Sequence, residues 1–129
     1  MGKSALAGIF QVAFHVPGEL SANLAIKWTA PCNMTLIHVS AVQSDADTAG
    51  LEVGDSTDAD GYITKYAIGA SGVPVEKEAI GDFAGALAGS QYPHISDGDI
   101  IALALDFDYN AGAGSGAASD VTIVLTFAA

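Results

Sequence analysis

Apolar residues alternate with polar or small ones along two C-terminal stretches. Over residues 100–109, Ile101, Leu103, Leu105, Phe107 and Tyr109 share one parity, and Ile100, Ala102, Ala104, Asp106 and Asp108 share the other. Over 121–127, Val121, Ile123, Leu125 and Phe127 alternate with Thr122, Val124 and Thr126. Extended strands point successive side chains to opposite faces, so each stretch predicts a strand with one apolar face. Residues 9–16 repeat the pattern, with Phe10, Val12, Phe14 and Val16 against Gln11 and His15, and Pro17-Gly18 ends it. A shorter strand sets Leu24, Ile26 and Trp28 opposite Asn23, Lys27 and Thr29, before the turn Ala30-Pro31-Cys32-Asn33. Residues 51–54 predict a brief strand, and residues 62–68 one with Tyr62, Thr64, Tyr66 and Ile68 on a single face. Residues 34–43 are apolar on both parities: Ile37, Val39 and Ala41 on one, Leu36, His38, Ser40 and Val42 on the other. That predicts a central strand or a subunit contact.

The pattern weakens over residues 69–98. Val73-Pro74-Val75 suits extended chain, while Gly81, Gly85 and Gly89 oppose a helix, each costing about 1 kcal/mol relative to alanine in a helix interior. A long excursion with one helical turn is expected, of the kind that is usually functional or partner-bound. Seven or eight short strands with Gly, Pro, Asp and Asn punctuation predict an all-β fold. Its architecture is an antiparallel two-sheet β-sandwich, jelly-roll-like. Residues 1–129 read as one domain, with residues 1–8 as an N-terminal arm. At 129 residues it can bury roughly two-thirds of its unfolded surface.

Charge narrows the partners. Fifteen acidic residues against four lysines and no arginine give a net charge of −11. A nucleic-acid binder needs a basic stripe, so no nucleic-acid partner is expected. No apolar run approaches the roughly 18–20 residues of a membrane span, and the N-terminus has neither a signal-peptide nor a myristoylation pattern. A soluble protein with no membrane partner is therefore expected. Cys32 is the only cysteine, which rules out an internal disulfide and fits assembly in the cytosol.

Candidate chemistry is thin. Gly2-Lys3-Ser4 ends like a phosphate-binding loop but lacks its upstream glycine and strand. Ser56-Thr57-Asp58-Ala59-Asp60-Gly61 fits the first half of a calcium loop, yet Ala67 stands where the bidentate glutamate belongs. Asp45, Asp47, Asp97 and Asp99 could gather oxygens at one end of the sandwich, but solvated turn carboxylates are the expectation. Asp106 with Asp108, and Glu76 with Glu78, are the carboxylate pairs a glycosidase would need, flanked here by small residues. His15, His38 and His94 show no ligand spacing with one another or with Cys32. The expectation is no enzyme, with no catalytic, cofactor-binding or metal residues and no cofactor. The small even face Ile100, Ala102 and Ala104 fits a central strand or a neighbouring subunit, and Trp28, in phase with Leu24 and Ile26, is expected in the core.

Five segments, taken in order, resemble a known group: Phe14-His15-Val16-Pro17-Gly18-Glu19-Leu20, Trp28-Thr29-Ala30-Pro31, Thr35-Leu36-Ile37-His38-Val39-Ser40-Ala41, Ile95-Ser96-Asp97-Gly98-Asp99-Ile100-Ile101 and Ser119-Asp120-Val121-Thr122-Ile123-Val124-Leu125-Thr126-Phe127. They look like the small β-sandwich structural proteins of tailed bacteriophages, of the head decoration or cement type. That resemblance implies a virion protein assembled in the host cytoplasm and sitting on the outer capsid surface. It would bind the major capsid protein, stabilise the shell, and act as a homo-oligomer, commonly a trimer. The alternative is a receptor- or carbohydrate-binding module of a tail or fibre, using Trp28, Tyr62, Tyr66, Tyr92 and Tyr109 as platforms. If single positions matter, residues 1–8 and 69–98 are where to look.

Overall fold

A computed structural model describes residues 8–46, 49–109 and 117–129. Nine strands form in chain order: β1 (Ile9–Glu19), β2 (Leu24–Thr29), β3 (Met34–Val42), β4 (Gly50–Asp55), β5 (Ile63–Ala67), β6 (Val75–Lys77), β7 (His94–Ile95), β8 (Ile100–Asp106) and β9 (Ser119–Ala128). One sheet runs β1-β9-β3-β6, with β7 also paired to β3; the other runs β2-β8-β4-β5, and every named pair is antiparallel. We call these sheet I and sheet II. The chain changes sheet between most successive strands, the Greek-key interleaving of a jelly roll.

The expected count of seven or eight strands and the observed nine reconcile along β3. Strand β6 pairs Val39 to Ala41, and β7 pairs Met34 and Thr35, both antiparallel. They are two pieces of one strand, interrupted by residues 78–93. The excursion is thus an insertion into a jelly-roll edge, with the expected helical turn as a 3₁₀ turn at Ile80–Asp82. Asp82 caps that turn, its carboxylate accepting from the Glu78 and Ala79 amides at 3.1 Å.

Strand β3 also explains its two apolar parities. The register shifts between Leu36 and His38, so Met34 and Leu36 point inward before the bulge, and Val39 and Ala41 after it. Neither a doubly covered strand nor a subunit contact is needed. Two other boundaries move. Strand β8 ends at Asp106 rather than Tyr109, which takes Asp108 off the shared face. A shift between Leu51 and Val53 brings Ile63 inward, and Tyr62 is buried beside it, so residues 62–68 have no single apolar parity.

Core residues come from both sheets, among them Met34, Leu36, Val39, Leu51, Val53, Ile63, Ile101, Leu103, Ile123, Leu125 and Phe127. Phe127 stacks on Phe10 of β1 at 5.4 Å and meets Trp28 of β2 edge-on at 5.6 Å, tying the two sheets together at one side of the sandwich. Trp28 therefore packs on the core but stays half-buried. Among the described residues, no helix is long and apolar enough to cross a membrane.

Candidate functional site

The carboxylates singled out by sequence do not converge. Asp45 lies beyond the end of β3, where its carbonyl accepts from the Ser71 amide at 2.8 Å. Asp97 and Asp99 lie at the opposite end: the Asp97 amide donates to Asn33 Oδ1, and Asp99 Oδ2 accepts from the Ser96 amide. They share no end of the sandwich, and Asp47 falls outside the described residues. In the acidic turn, Asp55 Oδ1 accepts from the Thr57 amide, the Thr57 hydroxyl and the Asp58 amide at 2.8–2.9 Å. Burial works to raise the Asp55 pKa, but those bonds together outweigh it and hold the carboxyl below its ordinary range. Its oxygen serves the turn itself. Asp58 is shifted up, chiefly by a hydrogen bond shared with the Asp60 carboxyl.

Of the other two pairs, one is separated and one meets at a histidine. Asp106 Oδ2 accepts from Lys65 Nζ at 3.3 Å across sheet II. Glu76 and Glu78 flank His38, whose Nε2 stands 3.2 Å from Glu76 and 4.0 Å from Glu78. Sequence reasoning missed this cluster, because only the β3–β6 pairing brings residue 38 to residue 76. It is solvent-accessible and lines neither of the two clefts described below, so its contacts contribute little. Cys32 is buried, and the described residues hold no group of three His, Cys, Asp or Glu side chains placed for a metal ion.

The tyrosines are equally dispersed. Tyr62 is buried, and burial, with Asp55 and Asp99 nearby, pushes its pKa up to about 12. Tyr66 sits under the Lys77 ammonium at 4.7 Å, its pKa raised mainly by burial. Tyr92 packs edge-on against Phe83 at 5.3 Å and donates to the Glu78 carbonyl. Tyr109 lies 5.7 Å from Lys65 Nζ, over Gly50. No sugar platform assembles from them. The Trp28 indole N–H and the Tyr66 hydroxyl are buried without a hydrogen-bond partner among the described residues.

Two clefts remain. On the outer face of sheet II, a cleft of about 240 Å³ has Ala25 and Ala104 at its floor and Asn23, Glu52, Lys65 and Asp106 around it. Beside it, Gly54 is overlain by the Asp58 and Ala59 backbone, and its strand partner Ala102 is buried, whereas Ile100 is 40% exposed. The small face of β8 is thus central and partly roofed by the acidic turn.

The larger cleft, about 430 Å³, belongs to the insertion and is lined by Ile80, Phe83, Ala84, Gly85, Ala86 and Ser90 among others. Phe83 and Ala88 anchor it in the core, and Gly85 and Leu87 donate to the Tyr62 and Gly61 carbonyls. Gly85 lies so close to the Gly61 backbone that a Cβ would collide with it. Residues 78–93 carry two acidic side chains, the exposed Glu78 at their start and Asp82, which caps the turn. Yet Ile80 and Leu87 are 51% and 44% exposed, and Val73 just before the insertion 68%. A core-anchored, sparsely charged, partly apolar surface on a strongly acidic chain suits contact with another protein. The arm, residues 1–8, lies outside the described residues except for Gly8, which pairs with Ala129.

No protein-family model and no curated protein sequence matches this chain. Among solved structures, the capsid of Ralstonia phage GP4 is similar over 95% of this chain and 85% of that one, with 19% identity and a TM-score of 0.57. That likeness extends to the β-sandwich fold. Tobacco streak virus coat protein, 8% identical over 94% of this chain and 86% of that one, reaches a TM-score of 0.43. The pre-peptidase C-terminal domain of a Bacillus anthracis collagenase, also 8% identical, covers 91% and 87% at the same score. At that score neither bears on function.

Proposed function

We propose that this protein is a structural component of a phage virion, a decoration or cement protein that binds the outer surface of the major capsid shell and stabilises it. The observation that carries the reading is the insertion: a core-anchored surface with few charges and with exposed Ile80 and Leu87, set into the edge of a sandwich whose described residues bring no catalytic group together. Function by buried interface area needs such a surface and needs no reactive side chain. The phage-capsid likeness in fold, and the resemblance noted in the sequence, point the same way. On this reading the partners are the major capsid protein and further copies of this chain, and the threefold grouping comes from the resemblance alone.

The sheet II cleft favours the receptor-binding alternative less, since its polar rim has no aromatic floor. Co-sedimentation with undecorated capsids of the same virion tests the proposal. Saturable binding is expected, and Ile80→Lys should abolish it at an unchanged melting temperature. Binding to glycans or host cells while capsids are ignored would overturn it.

A further inference from the structure

We infer that the outer edge of β1 is a self-association site, at which a second copy of this chain adds its own β1 antiparallel to extend sheet I. The sandwich treats its edges unequally. An edge strand exposes a row of unpaired N–H and C=O groups, and proteins blunt such edges with lysine, proline, bulges or short length. Here β2 carries Lys27, β5 carries Lys65, and β6 is three residues long with Lys77 and follows Pro74. Strand β7 is two residues long. Three of the four lysines of the chain thus stand one on each of three edges.

Strand β1 confines such devices, Pro17 and a register shift between Val16 and Glu19, to its last three residues. It is eleven residues long, and no described residue pairs with its outer side. From Ile9 to Val16 it has no lysine, aspartate, glutamate or proline, and its register with β9 runs unbroken over that span. Gly8 and Ala129 exchange both backbone hydrogen bonds. Bonded pairs alternate along an antiparallel ladder, so Phe10, Val12, Phe14 and Val16 also bond toward β9. The N–H and C=O groups of Ile9, Gln11, Ala13 and His15 therefore point outward from the sheet. Pro17, the next residue of that parity, lacks an N–H where the straight edge ends.

Side chains mark the same edge. Phe10, Val12, Phe14 and Val16 face the core yet stay half-buried, and Ile9 is 71% exposed. An added strand covers the first four and supplies partners for the outward backbone groups.

Charge selects the occupant. Two copies each at −11 repel, so a self-contact needs a surface without charge on both sides. A two-fold contact places one surface against itself, and β1 meets that condition over Ile9 to Val16. The neighbouring outer face is equally neutral: β3 has no Asp, Glu or Lys, and β9 has none beyond Asp120 at its start. Gln11 there bonds Thr126, and His15 bonds Thr122. A two-fold axis beside Val12 sets Ile9 opposite the partner's His15 and Gln11 opposite the partner's Ala13, each pair exchanging two backbone bonds. It sets Phe10 against the partner's Phe14 on the core side, with both faces in phase.

Light scattering after size exclusion, across micromolar concentrations, tests this. The wild type should show twice the 13.0 kDa chain mass, or an even multiple of it where other contacts add. Ala13→Pro should halve the mass, because it removes an outward N–H that the β9 ladder does not use. Ala13→Lys, which keeps the backbone intact, should weaken association at least tenfold, while Thr64→Lys on β5 should leave it unchanged. Amide exchange gives a second readout: Ile9, Gln11, Ala13 and His15 should be protected in the wild type and exchange fast in Ala13→Lys. A wild-type monomer or trimer would overturn the inference, as would a mass that neither substitution at Ala13 reduces. Shell binding is read separately, so this contact and the capsid proposal stand or fall apart.

Discussion

At Gly54 any other residue would place its Cβ on the Asp58 carbonyl oxygen and against the Ala59 backbone. The atoms in the way are main chain, so they cannot rotate aside, and the acidic turn would have to lift off sheet II. Gly54→Ala should therefore destabilise the fold by about 1–3 kcal/mol in urea unfolding. Gly81→Ala, in the insertion, meets nothing within 4 Å and should change stability by less than about 1 kcal/mol in either direction. Equal effects at the two positions would contradict the packing described. At this scale the sequence is a good guide to which face a side chain takes: Phe10, Val12, Phe14 and Val16, and Val121, Ile123, Leu125 and Phe127, all face the core as their alternation predicts. It is a poor guide to close approaches such as Gly54 to Asp58, because a missing Cβ carries no pattern.

Among the elements, the outcome turned on pairings distant in sequence. The two apolar parities of β3 arise from one bulge, which a period-two reading cannot separate from a strand buried on both faces. The interrupted strand was hidden because β6 and β7 are each too short to alternate, and only their common partner reveals them as one. The excursion itself was legible from its glycines and lost periodicity; its anchoring through Phe83 was not. Phe83→Ala should lower stability by about 3–5 kcal/mol in chemical denaturation and also weaken capsid binding, since the cleft hangs on that ring. A Phe83→Ala protein of wild-type stability would mean the insertion is not held from the core. The bare edge of β1 lay beyond sequence reading for a related reason: that a strand lacks an outer partner depends on the order of the whole sheet.

For the whole molecule, charge and apolar surface are kept apart. Asp, Glu and Lys occupy sheet II, the turns and the flanks of the insertion, while β1, β3 and β9 of sheet I are neutral over most of their length. Repulsion among acidic surfaces keeps such a protein dispersed and directs contact to its least charged surfaces, the insertion and the β1 edge. A ligand bound only by the assembled shell must stabilise that shell, so the effect of decoration on capsid melting follows from linkage. Calorimetry of undecorated capsids, with and without saturating protein, decides whether this protein reinforces the shell. A higher shell transition temperature is expected, one that Ile80→Lys fails to produce. A shell transition that does not move at saturation would contradict that role.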